Sequence, residues 1–243
     1  MNYKLTISYK GTNYSGFAKQ VGVNTIEQTI IDTINDLFQI KVKLFASGRT
    51  DKYVHAYGQV INIKHENLAF EPQIILKALN AKLPSDIRVL ECEEVDNKFH
   101  ARFNAKHKTY QYLINLNSQF NIFEQEIVYQ YNKDVDLKKL DLFLNLIKGQ
   151  HNFLSFSTSE LENTTREIFA TNYEIKDEIL KITITGNGFL RNMVRMLVGA
   201  FLDYNENKID LNHLNQMFLE PKKGAAIRKA PGGGLYLMSV TYV

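Results

Sequence analysis

Tyr3, Leu5, Ile7 and Tyr9 alternate with Lys4, Thr6 and Ser8, a period of two that predicts a half-buried strand. Thr25 and Gln28 then stand three apart, a capping-box signal, and Ile26, Ile30, Ile34, Leu37 and Phe38 follow at helical spacing. Strands are predicted at Val42–Ser47 and Gln59–Lys64. Pro72 opens a second helix that carries Ile75 and Leu79 on one face, and Pro84 ends it. Ile87–Val95 completes the order β-α-β-β-α-β, the split motif of ferredoxin-like sandwiches.

The second half nearly repeats that order. Thr109–Leu116 reads as a strand, and Leu137, Leu140, Leu144 and Ile147 mark a helix stopped by Gly149. Strands at Glu167–Lys176 and Ile179–Thr185 precede a helix over Phe189–Tyr204, a shorter helix over Leu211–Leu219 and a last strand at Leu235–Tyr242. Only the order of elements repeats, not the sequence. The fold class predicted is α+β, with two ferredoxin-like (RRM-like) subdomains, mainly antiparallel sheets and an active-site cleft between them. The subdomains are placed at 1–104 and 105–243, with the boundary between Phe103 and Lys108.

The 243 residues suffice for two such cores, and a 44% hydrophobic and 23% charged composition is that of an ordinary globular protein. A net charge of +3 is compatible with a nucleic-acid partner without requiring one. Cys92 is the only cysteine, which rules out an intramolecular disulfide or a multi-cysteine zinc site and suits a reducing cytoplasm. MNYKLTISYKG lacks the apolar core of a signal peptide, and Arg195 interrupts the richest apolar run, Met193–Leu202, so no membrane association is expected.

The stretch Gly48–Ala56, GRTDKYVHA, joins two of the predicted strands. By spacing alone, Asp51 is first a turn aspartate that bonds its own backbone or pairs with Arg49. The other reading is a nucleophile or general base, since a nearby guanidinium favours the charged form of a carboxylate. His55 reads as a hydrogen-bonded loop residue rather than a base. Arg191 and Arg195 are four apart in an otherwise apolar helix, which places them on one face. A buried, unpaired arginine is costly, so Arg195 should meet a carboxylate or a polar cleft, and Asp51 is a candidate partner.

Between the halves lies KFHARFNAKHKTYQY, in which Lys98, Arg102, Lys106 and Lys108 interleave with Phe99, Phe103, Tyr110 and Tyr112. Such a pattern suits phosphates and exposed bases, or equally a solvated connector leading into an aromatic strand. Lys222, Lys223, Arg228 and Lys229 cluster near the C-terminus and read alone as a charged loop. Pro231–Gly234 lacks the following Lys-Ser/Thr of a P-loop, Gly186-Asn187-Gly188 is no dinucleotide fingerprint, and the six histidines have no metal-site spacing. No metal is expected.

Five segments in order resemble the tRNA pseudouridine synthase A family: YKGTNYSGF, GRTDKYVHA, FHARFNAKHKTYQYLI, GNGFLRNMVRMLVG and APGGGLYLMSVTY. The resemblance implies a pseudouridine synthase fold and isomerisation of uridine in the anticodon arm of tRNA, at the 3′ side of the anticodon. It implies no cofactor, because the reaction has no net redox change and no outside group. Asp51 would be the catalytic carboxylate, Arg195 its partner, and Tyr110 the ring stacked on a flipped uracil. Leu235 would line the pocket, while Arg49 and His55 would serve the substrate-side loop. Arg102 and Lys108 would grip the tRNA backbone, and the partner set would be tRNA and a second copy in a homodimer.

Three departures stand out: Lys52-Tyr53 where the family has a small residue and glycine, Phe17-Ala18 for Trp-Gln, and Arg191-Asn192 for Tyr-His. The rival readings are a non-catalytic RNA-binding module, a hydrolase that cleaves a glycosidic bond, and a relative that has lost activity.

Overall fold

A computed structural model describes residues 1–66, 68–117, 119 and 121–242. The chain divides into two compact units, Met1–Lys106 with Tyr236–Val243, and His107–Leu235. The division at Lys106/His107 lies two residues beyond the predicted boundary, and most of the final strand groups with the first unit.

The first unit has the predicted order: β1 (Asn2–Tyr9), α1 (Ile26–Phe38), β2 (Lys43–Ala46), β3 (His55–Lys64), α2 (Pro72–Lys82) and β4 (Ile87–Glu94). Its sheet runs β4-β1-β3-β2 with antiparallel neighbours, the strand order of a ferredoxin-like sandwich. The alternation in β1 is real, since Tyr3, Leu5, Ile7 and Tyr9 are all buried. Thr25 caps α1, its side-chain oxygen accepting the Gln28 backbone N–H at 3.4 Å. The Gln28 side chain donates to Asp32.

β3 begins four residues earlier than predicted. Its first half pairs elsewhere: Tyr236 and Leu237 of β10 (Leu235–Tyr242) lie parallel to His55 and Ala56, whereas β2 covers only Ile61–Lys64. With neighbours on both edges, β3 is buried almost continuously, and polar Gln59 and Asn62 inside it are hydrogen-bonded. Asn62 also accepts the Ala101 N–H at 2.9 Å, and Asn2 donates to the carbonyls of Asp96 and Phe99. Those bonds tie the chain entering the Arg102–Phe103 turn onto the sheet.

The second unit contains all but the first two residues of β5 (Ala105–Asn115), with β6 (Tyr129–Gln130), α3 (Leu137–Ile147), β7 (Gly149–Asn152), β8 (Thr165–Lys176), β9 (Ile179–Gly186), α4 (Met193–Asn205) and α5 (Leu211–Leu219). Its strands run β5-β9-β8-β7, all antiparallel, with the short β6 parallel to β5. β6 and β7 were not predicted, being too short to show a period. α3 stops one residue before the predicted Gly149, because Lys148 is already extended, and Gly149 opens β7 at φ +101°.

One expectation needs correction. The helix predicted over Phe189–Tyr204 starts only at Met193, because Asn192 is left-handed at φ 63°, a conformation asparagine tolerates. Arg191 therefore lies in a turn before the helix and does not share a helical face with Arg195. Ten of the thirteen α4 residues are buried, leaving Arg195, Asp203 and Asn205 as the polar positions. All three are engaged. Asp203 and Glu206 both bind Arg228, at 3.3 and 2.7 Å, and Asn205 donates to Tyr131 and to the Asp134 carbonyl.

Glu206 is the hub of this network, taking Lys133, Lys208, Arg228 and Tyr131 on a carboxylate only 6% exposed. Hydrogen bonds from Lys133 and Arg228 hold its carboxyl well below the usual carboxylate range. A depressed carboxylate contributes stability that is present above its unfolded value and fades as pH falls. Glu206→Gln is expected to cost about 1–3 kcal/mol near neutral pH. Denaturant melts should show the parent losing this advantage progressively below pH 4.5, the ordinary value for the group, and converging on the variant.

Candidate active site

The loop between β2 and β3 is held at Ser47, Gly48, Thr50, Asp51 and Val54. The Gln59 side chain, fully buried, donates to the Gly48 carbonyl at 3.0 Å and accepts from Ser47 Oγ at 2.5 Å. Thr50 Oγ1 shares a 2.8 Å bond with the hydroxyl of buried Tyr9, whose ionisation burial pushes far up. The Thr50 carbonyl accepts the Phe17 N–H at 3.0 Å. The Asp51 carbonyl accepts the Val54 N–H at 3.2 Å and closes a turn over 51–54.

Two glycines clamp that turn from the side. A Cβ on Gly11 would lie 2.1 Å from the Val54 carbonyl oxygen, so only glycine permits the approach. Gly16, at φ +98°, packs against Thr50, Asp51 and Lys52 with 3.0–3.3 Å to its ideal Cβ position. His55 completes the frame. It is 1% exposed, its Nδ1 accepts the Gly11 N–H at 3.0 Å, and its ring stacks on Tyr236 at 4.7 Å. Nδ1 is therefore the unprotonated nitrogen, and His55 is a buried strand residue, hydrogen-bonded as predicted but not in the loop.

A bulge sits beside it. Ile7 pairs with Gln59 and Tyr9 with Ala56, so β3 carries one extra residue there. Gly58 lies at this bulge, and a Cβ on it would meet the Met238 carbonyl at 2.5 Å. The product is a backbone frame that leaves Asp51 half-buried while Arg49, Lys52 and Tyr53 are exposed.

Tyr53 is the strained member. At φ 69° it occupies the third position of the 51–54 turn, where positive φ calls for glycine. A left-handed non-glycine residue costs about 1–2 kcal/mol. The close approaches at Gly11 and Gly16 impose the conformation from outside.

In the second unit, Tyr110 is buried on β5 opposite Ile184, with Phe189 edge-on at 5.0 Å. The Gly186-Asn187-Gly188 turn delivers Phe189: Asn187 exchanges hydrogen bonds with Glu167 at 3.0 and 3.1 Å. Arg195 Nε donates to the Ala230 carbonyl at 2.8 Å, and the Ala230 N–H returns to the Arg195 carbonyl at 3.0 Å. One turn along α4, a Cβ on Gly199 would lie 2.1 Å from the Arg228 carbonyl. Helix and 228–230 segment are thus locked together, with Arg195 half-buried at the seam.

Leu235 is buried at the start of β10, after a short 3-10 turn at Gly232–Gly234. Those glycines serve close packing: Gly234 lies against Tyr112 and Leu113, and the Tyr112 hydroxyl donates to the Pro231 carbonyl at 2.7 Å. Arg102 is exposed in a turn with Phe103, its guanidinium 5.9 Å from that ring, and Lys108 is half-buried on β5. Of the four aromatics in the basic segment, Tyr110 and Tyr112 are buried and Phe99 packs on Tyr242, so Phe103 is the exposed one, at 75%, with the His100 ring 4.3 Å from its own.

The structure thus places Arg49, Asp51 and His55 on one loop and strand end of the first unit, while Tyr110 on β5, Arg195 on α4 and Leu235 at the start of β10 belong to the second. Sequence reasoning missed Tyr9, Gln59, Gly11, Gly16 and Ala230 as supports. The glycines lay in the YKGTNYSGF segment, but nothing in one sequence says which backbone they touch.

The profile of a family described as "tRNA pseudouridine synthase" matches residues 5–104 and 144–243. The chain belongs to this family. It is 47% identical over 244 residues to tRNA pseudouridine synthase A of Malacoplasma penetrans (strain HF-2), covering 100% of each chain. It is 42% identical over 243 residues to the protein of the same name from Ureaplasma parvum serovar 3 (strain ATCC 27815 / 27 / NCTC 11736), again over 100% of both. A solved chain titled "Crystal Structure of a Cbf5-Nop10-Gar1 Complex" shows a TM-score of 0.35 and 12% identity over 80% of this chain and 52% of that one. That score is too low to carry weight. The family is one of isomerases, and the protein is an enzyme of that family with its α+β architecture. Among the described residues, no helix is long and apolar enough to cross a membrane, and no group of His, Cys, Asp and Glu is arranged to hold a metal ion.

The frame around Asp51 depends on the absence of a side chain at residue 11. Gly11→Ala is expected to cost about 1–3 kcal/mol, the penalty of overpacking a filled site. Hydrogen exchange should rise at the Gly11 and Val54 amides before it rises in β4. Unchanged melting and exchange would show that the loop does not need this approach.

Proposed function

We propose that the protein isomerises uridine to pseudouridine in the anticodon stem-loop of tRNA. The N-glycosidic bond breaks, the uracil turns, and its carbon five bonds to the sugar and gives up a proton, while the freed ring nitrogen takes one up. Substrate and product are isomers, so the protein must contribute position and charge rather than a group. The Asp51 carboxylate acts at the sugar, as nucleophile at the anomeric carbon or as base. Arg195 pairs with it, Tyr110 stacks on the extruded uracil, and Leu235 lines the pocket. Arg49 holds the loop or helps extrude the base, and His55 holds the strand end on which the loop turns. Arg102 and Lys108 take phosphates, with tRNA spanning a homodimer in the cytoplasm.

The observation that carries this reading is the rigid frame around Asp51. A carboxylate whose backbone is fixed on both sides by buried bonds, yet whose side chain is only half-buried, is preorganised for an incoming substrate. A structural turn aspartate needs no such frame. Phe103 and Arg102 supply the aromatic and cationic surface that RNA binding calls for.

Tritium release from uracil carbon five of unmodified tRNA tests the chemistry. Asp51→Asn should slow release by at least about 100-fold, the scale of losing an acid–base or nucleophilic group. Its tRNA affinity should stay within about threefold, since it removes no phosphate contact. Retained turnover refutes the role of Asp51, and a parent chain that binds tRNA without releasing tritium is a binding module. Mapping the product should place pseudouridine on the 3′ side of the anticodon, and modification elsewhere overturns the assigned arm.

A further inference from the structure

We propose that Tyr53 is a substrate-contacting residue whose ring stacks on a tRNA nucleobase other than the reacting uridine. The inference rests on the tRNA reading above and extends it to a position at which this chain departs from the glycine of the family pattern.

The first ground is conformational. Six non-glycine residues have positive φ among the described residues: Gln39, Tyr53, Asp177, Glu178, Asn192 and Asn207. Five are polar. Gln39 and Asn192 cap helices, and Asp177 and Glu178 join β8 to β9. Tyr53 alone is aromatic. A bulky ring is among the least suited to this region, and glycine or asparagine would meet the same turn at lower cost.

The second ground is that folding gains little in return. Tyr53 is 45% exposed, and the Lys52 ammonium lies 4.8 Å from its ring centroid. An exposed cation–π contact of this kind is weak. Strain that the surroundings impose, and that the side chain does not relieve by burial, is found where a side chain serves a ligand.

The third ground is placement. Tyr53 is two residues from Asp51 in the same turn, so their Cα atoms are at most about 7 Å apart. A ring so close to the reacting sugar faces whatever flanks the extruded nucleotide. An aromatic face with an ammonium beside it matches a nucleobase with its phosphate, since bases stack on rings and the phosphate takes the cation.

The chain contains no tryptophan, so a Tyr53→Trp variant carries a single indole reporter at the site. Titrating it with unmodified tRNA transcript should quench its emission, saturating at the concentration where anisotropy of labelled tRNA reports binding. Binding without any change in emission overturns the inference. A blue shift that grows with protein concentration in the absence of tRNA assigns the ring to contact with a second copy, and overturns it too.

Tyr53→Gly and Tyr53→Asn supply the second arm. Both should melt at or above the parent temperature, because they relieve the turn, yet bind tRNA about 10-fold more weakly, with the loss falling mainly on KM. Tyr53→Phe should stay within about twofold of the parent. Parent-like affinity in the glycine and asparagine variants refutes the contact, and an equal loss in the phenylalanine variant refutes stacking in favour of the hydroxyl. If the parent forms pseudouridine in the same tRNA while these readouts stay flat, only the role of Tyr53 falls. If the parent forms none, the functional reading falls and this inference with it.

Discussion

Between Gly11 and Val54 there is room for a hydrogen and nothing larger. The ideal Cβ position on Gly11 falls 2.1 Å from the Val54 carbonyl oxygen, while the Gly11 N–H is taken by His55 Nδ1. Two backbones thus meet with no side chain between them, and the meeting fixes where the 51–54 turn can go. Gly16 repeats the device on the other flank. Gln59 holds the entry at Gly48 and Tyr9 holds Thr50, so the turn is bounded on every side by groups that are themselves buried. Loops built this way move little, because each displacement breaks a buried hydrogen bond or forces a clash.

The second unit uses the same physics with different parts. Gly199 on α4 approaches the Arg228 carbonyl at 2.1 Å, and Arg195, one turn before it, clasps Ala230 through both its backbone and its Nε. Arg228 is then fixed by Asp203, Glu206 and Tyr129. A helix that is apolar nearly all round can keep one arginine at its edge only if neighbouring carbonyls and carboxylates satisfy it. Here the satisfying groups come from a segment that the helix itself pins. The arginine is thereby held at the seam between helix and segment.

Much of this was legible in the chain. Alternation in β1, the Thr25 cap, Pro72 at the start of α2 and the β-α-β-β-α-β order of the first unit gave its architecture, because each is a local signal with a local cause. The boundary of β3 was not legible, since its first residues pair with β10, some 180 residues away in sequence. The start of α4 was missed because Asn192 turns left-handed inside a run whose apolar spacing continues through it. GRTDKYVHA marked the loop, but the supports of Asp51 come from β1, β3 and the segment after β1. One partner of Arg195 is the Ala230 backbone carbonyl, and carbonyls leave no trace in side-chain patterns.

An isomerase without an external group has few means of lowering a barrier. It contributes no redox centre to the product and no atom to the new bond, so its leverage lies in holding charge and substrate where the transition state needs them. Under the proposed reading, the buried hydrogen bonding that converges on the 48–56 loop meets that demand. It also gives the strain at Tyr53 a physical setting. A loop over-determined by its neighbours can hold one residue in an unfavourable conformation, because relaxing it would break several good contacts at once. The frame that fixes the backbone around Asp51 is therefore also what allows an aromatic ring to occupy a place that backbone geometry alone would give to glycine.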